Sequence, residues 1–321
     1  MKRPFHALPL VAMLAAGALA PQAAQACSVC GCLLNSDWAS QGYKADPGWS
    51  ADLRFDFSNQ TQLRSGTSSV DRGSLPLPNE AEIQRSTINR VGTLTLDYAQ
   101  AGDWGLAIAL PYAVRTHDTY AEGDTDLSYS RSAALGDVKL VGRYQGFAPD
   151  GSLGVLFGVK LPTGRTDVAF SSGPQQGGGV DRGLQPGTGT TDLIVGAYHF
   201  GQYSEDLGYF VQVQHQQPLN THDEFKPSAQ TTLSAGMRWS GTHGFDPALQ
   251  ISLRHEGRES GAQADVDNSG ATLAYLSPGI NAQLGAHTSA YAYVQLPVYQ
   301  RVNGLQLEPR YNLTLGLNQR F

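Results

Sequence analysis

Long hydrophobic runs and helical periodicity are missing from most of this chain. After residue 26 no segment offers the roughly 20 apolar residues that a membrane-spanning helix needs, although 40% of the 321 residues are hydrophobic. Charged residues make up only 16% of the chain, and the net charge of −6 reflects no excess of Lys and Arg. A surface that binds phosphate groups favours such an excess, so we expect no nucleic-acid partner.

Cysteine is nearly absent, because Cys27, Cys30 and Cys32 are the only three and lie in one six-residue segment. Gly31 stands where a c-type haem motif needs His, which excludes haem attachment. Three close thiolates could bind copper(I) or zinc as a metal site, Cys27 could carry a lipid, or a Cys27–Cys30 disulfide could form in an oxidising compartment. We favour the disulfide and expect no cofactor, because no nearby His completes a four-ligand zinc site.

The first 26 residues have the pattern of a secretory signal peptide. Lys2 and Arg3 precede the apolar stretch 8–20, and Ala24-Gln25-Ala26 provides a small-residue cleavage site. The exported chain should therefore begin at Cys27. We expect residues 27–48 to form a short cysteine-containing periplasmic segment, either a plug or a tether, ahead of a larger domain over residues 49–321.

The C-terminal residues 307–321 alternate between apolar and polar side chains and end on an aromatic residue. A period of two predicts a β-strand with one apolar and one polar face. A terminal strand of this kind resembles the recognition strand of bacterial outer-membrane β-barrels. The resemblance implies that the barrel-assembly machinery reads this strand, and the residues assigned to the signal are Tyr311, Leu313, Leu315, Leu317 and Phe321.

Similar alternation recurs along the chain and predicts about twelve strands. They lie near 49–59, 86–99, 104–116, 134–146, 152–162, 189–201, 207–219, 229–240, 246–257, 270–282, 288–301 and 306–321. Long polar connections, such as 60–85 and 163–188, alternate with tight turns, such as 100–103 and 241–245. This segregation of loop length is typical of transmembrane barrels, which have long extracellular loops and short periplasmic turns. We therefore predict an all-β fold, a single antiparallel barrel in the bacterial outer membrane with lipids as partners.

Three segments resemble a known family. They are Gly136-Asp137-Val138-Lys139-Leu140-Val141-Gly142-Arg143-Tyr144, Lys160-Leu161-Pro162-Thr163-Gly164-Arg165, and Pro186-Gly187-Thr188-Gly189-Thr190-Thr191-Asp192-Leu193. Their order and spacing are similar to those of outer-membrane transporters named for the meta-cleavage pathway of phenol degradation. The resemblance implies a barrel that takes up small, often aromatic, compounds and brings no catalytic residues.

If the apolar strand faces contact lipid, the opposite faces line the lumen. Barrels of eight strands are filled by side chains and barrels of sixteen or more hold an aqueous channel, so twelve strands allow a narrow polar passage. Basic residues outnumber acidic ones on these faces, which predicts a mild preference for anions. The predicted lumen-lining residues are Arg54, Arg115, Lys139, Arg143, Lys160, Arg238, Arg254, Arg310, Asp52, Asp56 and Glu256.

The function predicted from the sequence is passage of a small-molecule permeant, aromatic or anionic, through a narrow polar lumen. Two alternatives stay open: a non-conducting structural barrel whose cysteine cluster binds metal, and a barrel-embedded hydrolase. For the hydrolase, His215 and His255 are the candidate bases, but no Ser is placed beside either as a nucleophile. We therefore expect no enzyme activity.

Overall fold

The computed structural model describes residues 34–35, 37–43, 47–100, 103–240 and 244–321. The predicted signal peptide and the three cysteines lie outside the described residues. Two short 3-10 turns occur, at Arg72–Ser74 and Arg182–Leu184. The strands are β1 (Gly48–Gly66), β2 (Ser68–Ser69), β3 (Ile83–Ala99), β4 (Trp104–Tyr120), β5 (Ser128–Leu135), β6 (Val138–Tyr144), β7 (Leu153–Leu161), β8 (Asp192–Ser204), β9 (Leu207–Pro218), β10 (Gln230–Trp239), β11 (Phe245–Glu256), β12 (Ala271–Gln283) and β13 (Thr288–Arg320).

Across those ranges, no helix combines the length and the apolar character needed to cross a membrane.

Eleven of the described strands form a closed antiparallel wall, and β2 and β5 pair outside this circuit. Neighbours in space are neighbours in sequence, and β13 closes the circuit by pairing with β1. The closing ladder places Ser50 opposite Arg320, so the first and last strands meet at one end of the barrel. We call this the inner end and the opposite one the outer end. The predicted single antiparallel barrel is confirmed.

The last strand, β13, is long because it turns back on itself. Its first half pairs with β12, its second half pairs with β1, and Gly304 between them has a φ of +57°. The halves contact each other, since Gln295 Nε2 donates to Thr314 Oγ1 at 3.2 Å. Counting the two arms of β13 separately, the wall has twelve segments, in agreement with the predicted number.

Side chains alternate across the wall with the period of two that the sequence shows. Apolar residues such as Leu53, Leu106 and Ile251 point outward and are at least half exposed. Inward neighbours such as Asp56 and Gln250 are buried. A polar interior inside an apolar exterior is the reverse of a water-soluble barrel and fits a lipid environment.

The connections segregate by length, as predicted. Those at the outer end are long, at 67–82, 121–137 (which includes β5), 162–191, 219–229 and 257–270, except for the turn at Gly304. Those at the inner end are short, at 100–103, 145–152, 205–206, 240–244 and 284–287. Both ends of the wall therefore match the pattern of extracellular loops and periplasmic turns.

Several strands extend further outward than the apolar alternation indicated. β1 continues to Gly66 and β4 to Tyr120, because backbone pairing persists where side chains no longer contact an apolar environment. His117, one residue beyond the predicted strand 104–116, is consequently a buried β4 residue. The predicted strand 134–146 covers the end of β5 and all of β6. Gly136 and Asp137 separate these two strands, and both strands pair with β4.

Arg310 does not face the lumen, contrary to the prediction. The β1–β13 register places Ser58 opposite Asn312 but Gln60 opposite Pro309, so two residues of β13 are opposed by Asn59 alone. Such a β-bulge shifts the alternation by one residue. Arg310 and Tyr311 are therefore both exposed on the outer surface.

Candidate functional site in the barrel lumen

A cavity of about 630 Å³ occupies the lumen. It extends from Ser50 and Arg320 near the inner end to Asp137 and Asn89 further along the wall. Of the predicted lumen residues, six line this cavity: Asp52, Arg54, Asp56, Lys139, Arg143 and Arg254.

Most charged groups in the lumen are paired. Arg54 Nε lies 2.7 Å from Asp56 Oδ2, Arg254 Nη1 lies 3.0 Å from Glu256 Oε1, and Arg143 makes two hydrogen bonds to Asp97. The low dielectric of a protein interior makes an unpaired charge costly, which accounts for the pairing. The cavity lining carries five carboxylates and five cations, so the predicted excess of basic residues is absent from it.

Apart from Arg310, the remaining predicted lumen residues face inward but do not line the cavity. Arg115 donates to Asn89 Oδ1 and contacts the Gly183 carbonyl oxygen. The Arg238 guanidinium lies 4.0 Å from the ring centre of Tyr43. Asp97 is a lumen residue that the prediction missed. Leu94 and Leu96 on β3 belong to the outward face, so the alternation assigns Asp97 to the inward face and could have identified it.

Residues 34–35 and 37–43, which we call the inner segment, lie inside the inner end of the barrel. Leu34 packs with Ala248, Tyr291 and Tyr293. Trp38 Nε1 donates to Asp52 Oδ2 at 3.2 Å. Contacts to several strands hold these residues against the lumen wall.

Polar bonds and one glycine fit the inner segment to the wall. Asn35 Nδ2 donates to Gln212 Oε1 at 3.0 Å, and Gln250 Nε2 donates to the Asn35 carbonyl oxygen at 3.3 Å. Gly42 has a φ of +78°, and a Cβ there would lie 2.7 Å from the Phe200 ring. Only glycine therefore allows the segment to turn this close to the wall.

Asp37 is the titratable group at the centre of the inner segment. Its Oδ1 accepts the Ala39 N–H at 3.1 Å, and its carbonyl oxygen accepts the Gln41 N–H at 3.2 Å, which closes a turn. Burial raises the pKa of Asp37 above its ordinary value, and the nearby Arg143 only partly opposes this effect. Burial also raises the pKa of Tyr43.

At the outer end, the connection 162–191, which we call the outer loop, folds over the lumen. Val168, Val180 and Leu184 form a buried apolar cluster within it. Phe170 contacts His117 on the inner face of β4, with ring centres 6.4 Å apart. Burial, reinforced by Glu259 and Glu82, raises the pKa of Asp181 well above its ordinary value. The lumen is thus narrowed by chain segments at both ends.

The three segments that carry the family resemblance meet at one point, the Asp137 cluster, comprising Asp137, Lys160, Thr188, Thr190 and Asp192. Lys160 Nζ lies 3.0 Å from Asp137 Oδ2 and 3.2 Å from Asp192 Oδ2. The Asp137 carboxylate also accepts the Gly164 N–H at 3.0 Å and the Thr188 N–H at 2.9 Å. This cluster fastens both ends of the outer loop to β6, β7 and β8.

The remaining candidate sites have weaker geometry. His215 bonds Thr231 and His255 bonds Thr272, each through Nδ1 to a neighbouring threonine on the apolar outer face. Within the described ranges, no group of three or more His, Cys, Asp or Glu residues is placed to hold a metal ion. The metal or disulfide chemistry predicted for Cys27, Cys30 and Cys32 lies outside these ranges and stays a prediction.

The closed antiparallel wall, the apolar exterior and the segregated loops together define a bacterial outer-membrane β-barrel. Comparison with solved structures agrees with this class. The fold is similar to the crystal structure of the COG4313 outer membrane channel from Pseudomonas putida F1, with a TM-score of 0.61 and 14% identity over 87% of this chain and 98% of that chain.

Two further solved structures match this chain. The beta domain of the Bordetella autotransporter BrkA has a TM-score of 0.51 and 13% identity, covering 86% of this chain and 100% of that chain. The CymD monoaromatic hydrocarbon channel has a TM-score of 0.46 and 8% identity, covering 91% and 94%. No family model and no curated protein matches the sequence, so the phenol meta-cleavage family is not confirmed as its family.

Proposed function

We propose that this barrel is a channel that lets small solutes cross the outer membrane. The observation that carries the proposal is the 630 Å³ cavity, whose lining combines charged, amide and hydroxyl side chains inside a closed wall. A structural barrel needs no such space, because side chains can fill a narrow lumen completely. The similarity to a solved outer-membrane channel supports the same function.

The inner segment makes this channel a narrow or gated one. Its contacts with Asp52, Gln212 and Gln250 come from strands on different sides of the lumen, so it crosses the inner opening as a plug. A permeant must pass beside the segment or displace it. The predicted alternative of a tether would leave the opening clear.

Single-channel recording in planar bilayers tests the proposal. We expect the full exported chain to give small currents and a variant without residues 27–48 to give larger ones, because the plug is removed. Trp38→Ala should act in the same direction, since it removes the bond to Asp52 and the ring contacts with Tyr43 and Tyr291.

Trp239→Ala is the matched control, because this tryptophan is 40% exposed on the outer surface near the inner end. Heat-dependent gel mobility establishes that each variant is folded. Folded barrels that carry no current with or without the segment would favour the non-conducting structural barrel instead.

A further inference from the structure

Part of the lumen wall is apolar where it borders the cavity, between the charged residues Lys139 and Arg143. The inward residues there are Ala107 and Pro111 on β4, Val141 on β6, Leu156 on β7 and Ile194 on β8. These strands follow one another around the wall, so the apolar surface is continuous. Lumen faces of transmembrane barrels are normally polar, so this surface needs an explanation.

The strand register arranges part of this surface as a row. Ala107 is opposite Val141, Val141 is opposite Gly158, and Gly158 is opposite Ile194. Ala107, Val141 and Ile194 border the cavity, and the valine and isoleucine side chains provide the apolar contact. We call Ala107, Val141, Gly158 and Ile194 the apolar row.

The facing part of the lumen wall is polar. It is built from β1 and β9–β11, with β13 at the inner end, and its cavity-lining residues include Asp52, Arg54, Asp56, Ser58, Gln212, Gln214, Thr232, Ser234, Arg254 and Asn318. A molecule in the cavity therefore meets an apolar wall on one side and hydrogen-bonding groups on the other.

Lys139 provides a positive charge beside the apolar row. It lies two residues before Val141 on β6, so both side chains face the cavity, and its register partner on β4 is Ala109. Its Nζ donates to the amide oxygen of Gln216 at 3.2 Å. Among the described residues, no carboxylate lies within 4.0 Å of this ammonium, whereas Arg143 has one such carboxylate and Lys160 has two.

We propose that the lumen binds small carboxylates that carry an apolar body, with the carboxylate at Lys139 and the body against the apolar row. This inference rests on the proposed channel function and names its substrate class. The cavity volume lies within the roughly 300–1,000 Å³ typical of small-molecule sites. An uncharged hydrocarbon would desolvate the Lys139 ammonium without giving it an anionic partner, and a small hydrated anion would make no use of the apolar row.

Isothermal titration calorimetry on the full exported chain in detergent tests the inference. The probes are benzoate, its neutral isostere benzamide, acetate, and benzylammonium. We expect benzoate to bind at least tenfold more tightly than each of the other three, because only benzoate combines an anionic head with an apolar ring.

Variants assign the two parts of the site. Lys139→Gln should weaken benzoate binding at least tenfold and leave benzamide binding unchanged, whereas Lys139→Arg should retain most of the benzoate affinity. Val141→Asn should weaken benzoate but not acetate. Arg131→Gln is the charge-matched control, because Arg131 is exposed on β5 away from the cavity, and heat-dependent gel mobility checks that every variant is folded.

Calorimetry separates this inference from the proposed function, since it measures binding without any current. Benzoate binding no tighter than acetate binding, or an unchanged affinity in a folded Lys139→Gln variant, overturns the substrate class even if the barrel conducts. Selective benzoate binding by a barrel that never conducts supports the site and overturns the channel.

Discussion

At the scale of single residues, the lumen is stabilised by charges that satisfy one another. Asp137 is the clearest case, since it accepts hydrogen bonds from Lys160, the Gly164 backbone and both donors of Thr188. It is 8% exposed and joins segments that are far apart in sequence. The meeting of polar residues from the three motifs is thus explained by structure, without invoking substrate contact.

Asp137→Ala should lower the free energy of unfolding by about 2–3 kcal/mol, because it removes one of the two carboxylates of Lys160 and leaves buried donors without an acceptor. Urea titration of the refolded barrel measures this change. The control is Asp167→Ala, whose side chain is 76% exposed, and exposed pairs contribute little. Equal stability of both variants and the unmodified chain would contradict the role of the Asp137 cluster.

Asp37 couples the position of the inner segment to pH. We call the inner segment docked when it lies against the lumen wall. Because burial raises the pKa of Asp37 in this docked state, docking takes up a proton. Docking is therefore strongest at a pH below the ordinary carboxyl pKa, and it weakens as the pH rises through the raised pKa of the docked state. Above that pH the weakening is complete.

Hydrogen–deuterium exchange of peptides over the inner segment measures this dependence. After correction for intrinsic exchange, protection should fall as the pH rises from about 4 to about 8, a range that starts near the ordinary carboxyl pKa. Asp37→Asn should make protection independent of pH, while Asp206→Asn, in the exposed turn between β8 and β9, should not. Protection that increases with pH would contradict the assignment.

At the scale of elements, β13 closes the barrel and carries the predicted assembly signal. Its second half forms a long ladder with β1, and its apolar residues Leu315 and Leu317 are 42% and 44% exposed on the outer face. Phe321 follows the strand, donates its backbone N–H to the Trp49 carbonyl oxygen, and has a side chain that is 78% exposed. Its ring therefore contributes little to packing within the barrel.

Phe321→Ala should reduce insertion into the outer membrane of cells while leaving refolding in detergent unchanged, because an exposed terminal ring is available for recognition during assembly. Membrane fractionation and heat-dependent gel mobility provide the two measurements. Phe245→Ala is the matched control, since Phe245 is 53% exposed at the start of β11, also at the inner end. Normal insertion of Phe321→Ala would argue against the recognition strand.

At the scale of the whole molecule, ion selectivity depends on which lumen charges remain after pairing. Arg310 lies outside, and Asp97 and Asp137 lie inside, so the lining is balanced in number. Arg54, Arg143 and Arg254 are each paired with a carboxylate, which largely neutralises their positive charge. Lys139, by contrast, donates its hydrogen bond to the neutral side-chain amide of Gln216, so its positive charge is not neutralised by this contact.

Reversal potentials in a salt gradient should therefore show a mild anion preference, and Lys139→Gln should reduce it. Arg131→Gln, outside the lumen, should leave the reversal potential unchanged. A cation preference in the unmodified chain would mean that the lumen carboxylates, rather than Lys139, control permeation.

Local patterns in the sequence determined much of this fold. Side chains on a strand alternate between faces regardless of context, so the apolar exterior, the polar interior and the approximate strand number were all predictable. Loop lengths are also a property of the sequence, which made the two ends of the barrel distinguishable. The exposed position of Arg310 was not predictable in this way, because a bulge changes the alternation without changing residue types.

Only the tertiary structure decided which distant residues meet. The inner segment is short, and its place depends on Asp52, Gln212, Gln250 and Tyr291, which come from separate strands. The apolar row likewise exists only once β4, β6, β7 and β8 pair in register. Periodicity is a local property of one strand, whereas a plug, an ion pair between strands such as Arg143–Asp97 and a binding surface each depend on how the strands are placed in the wall.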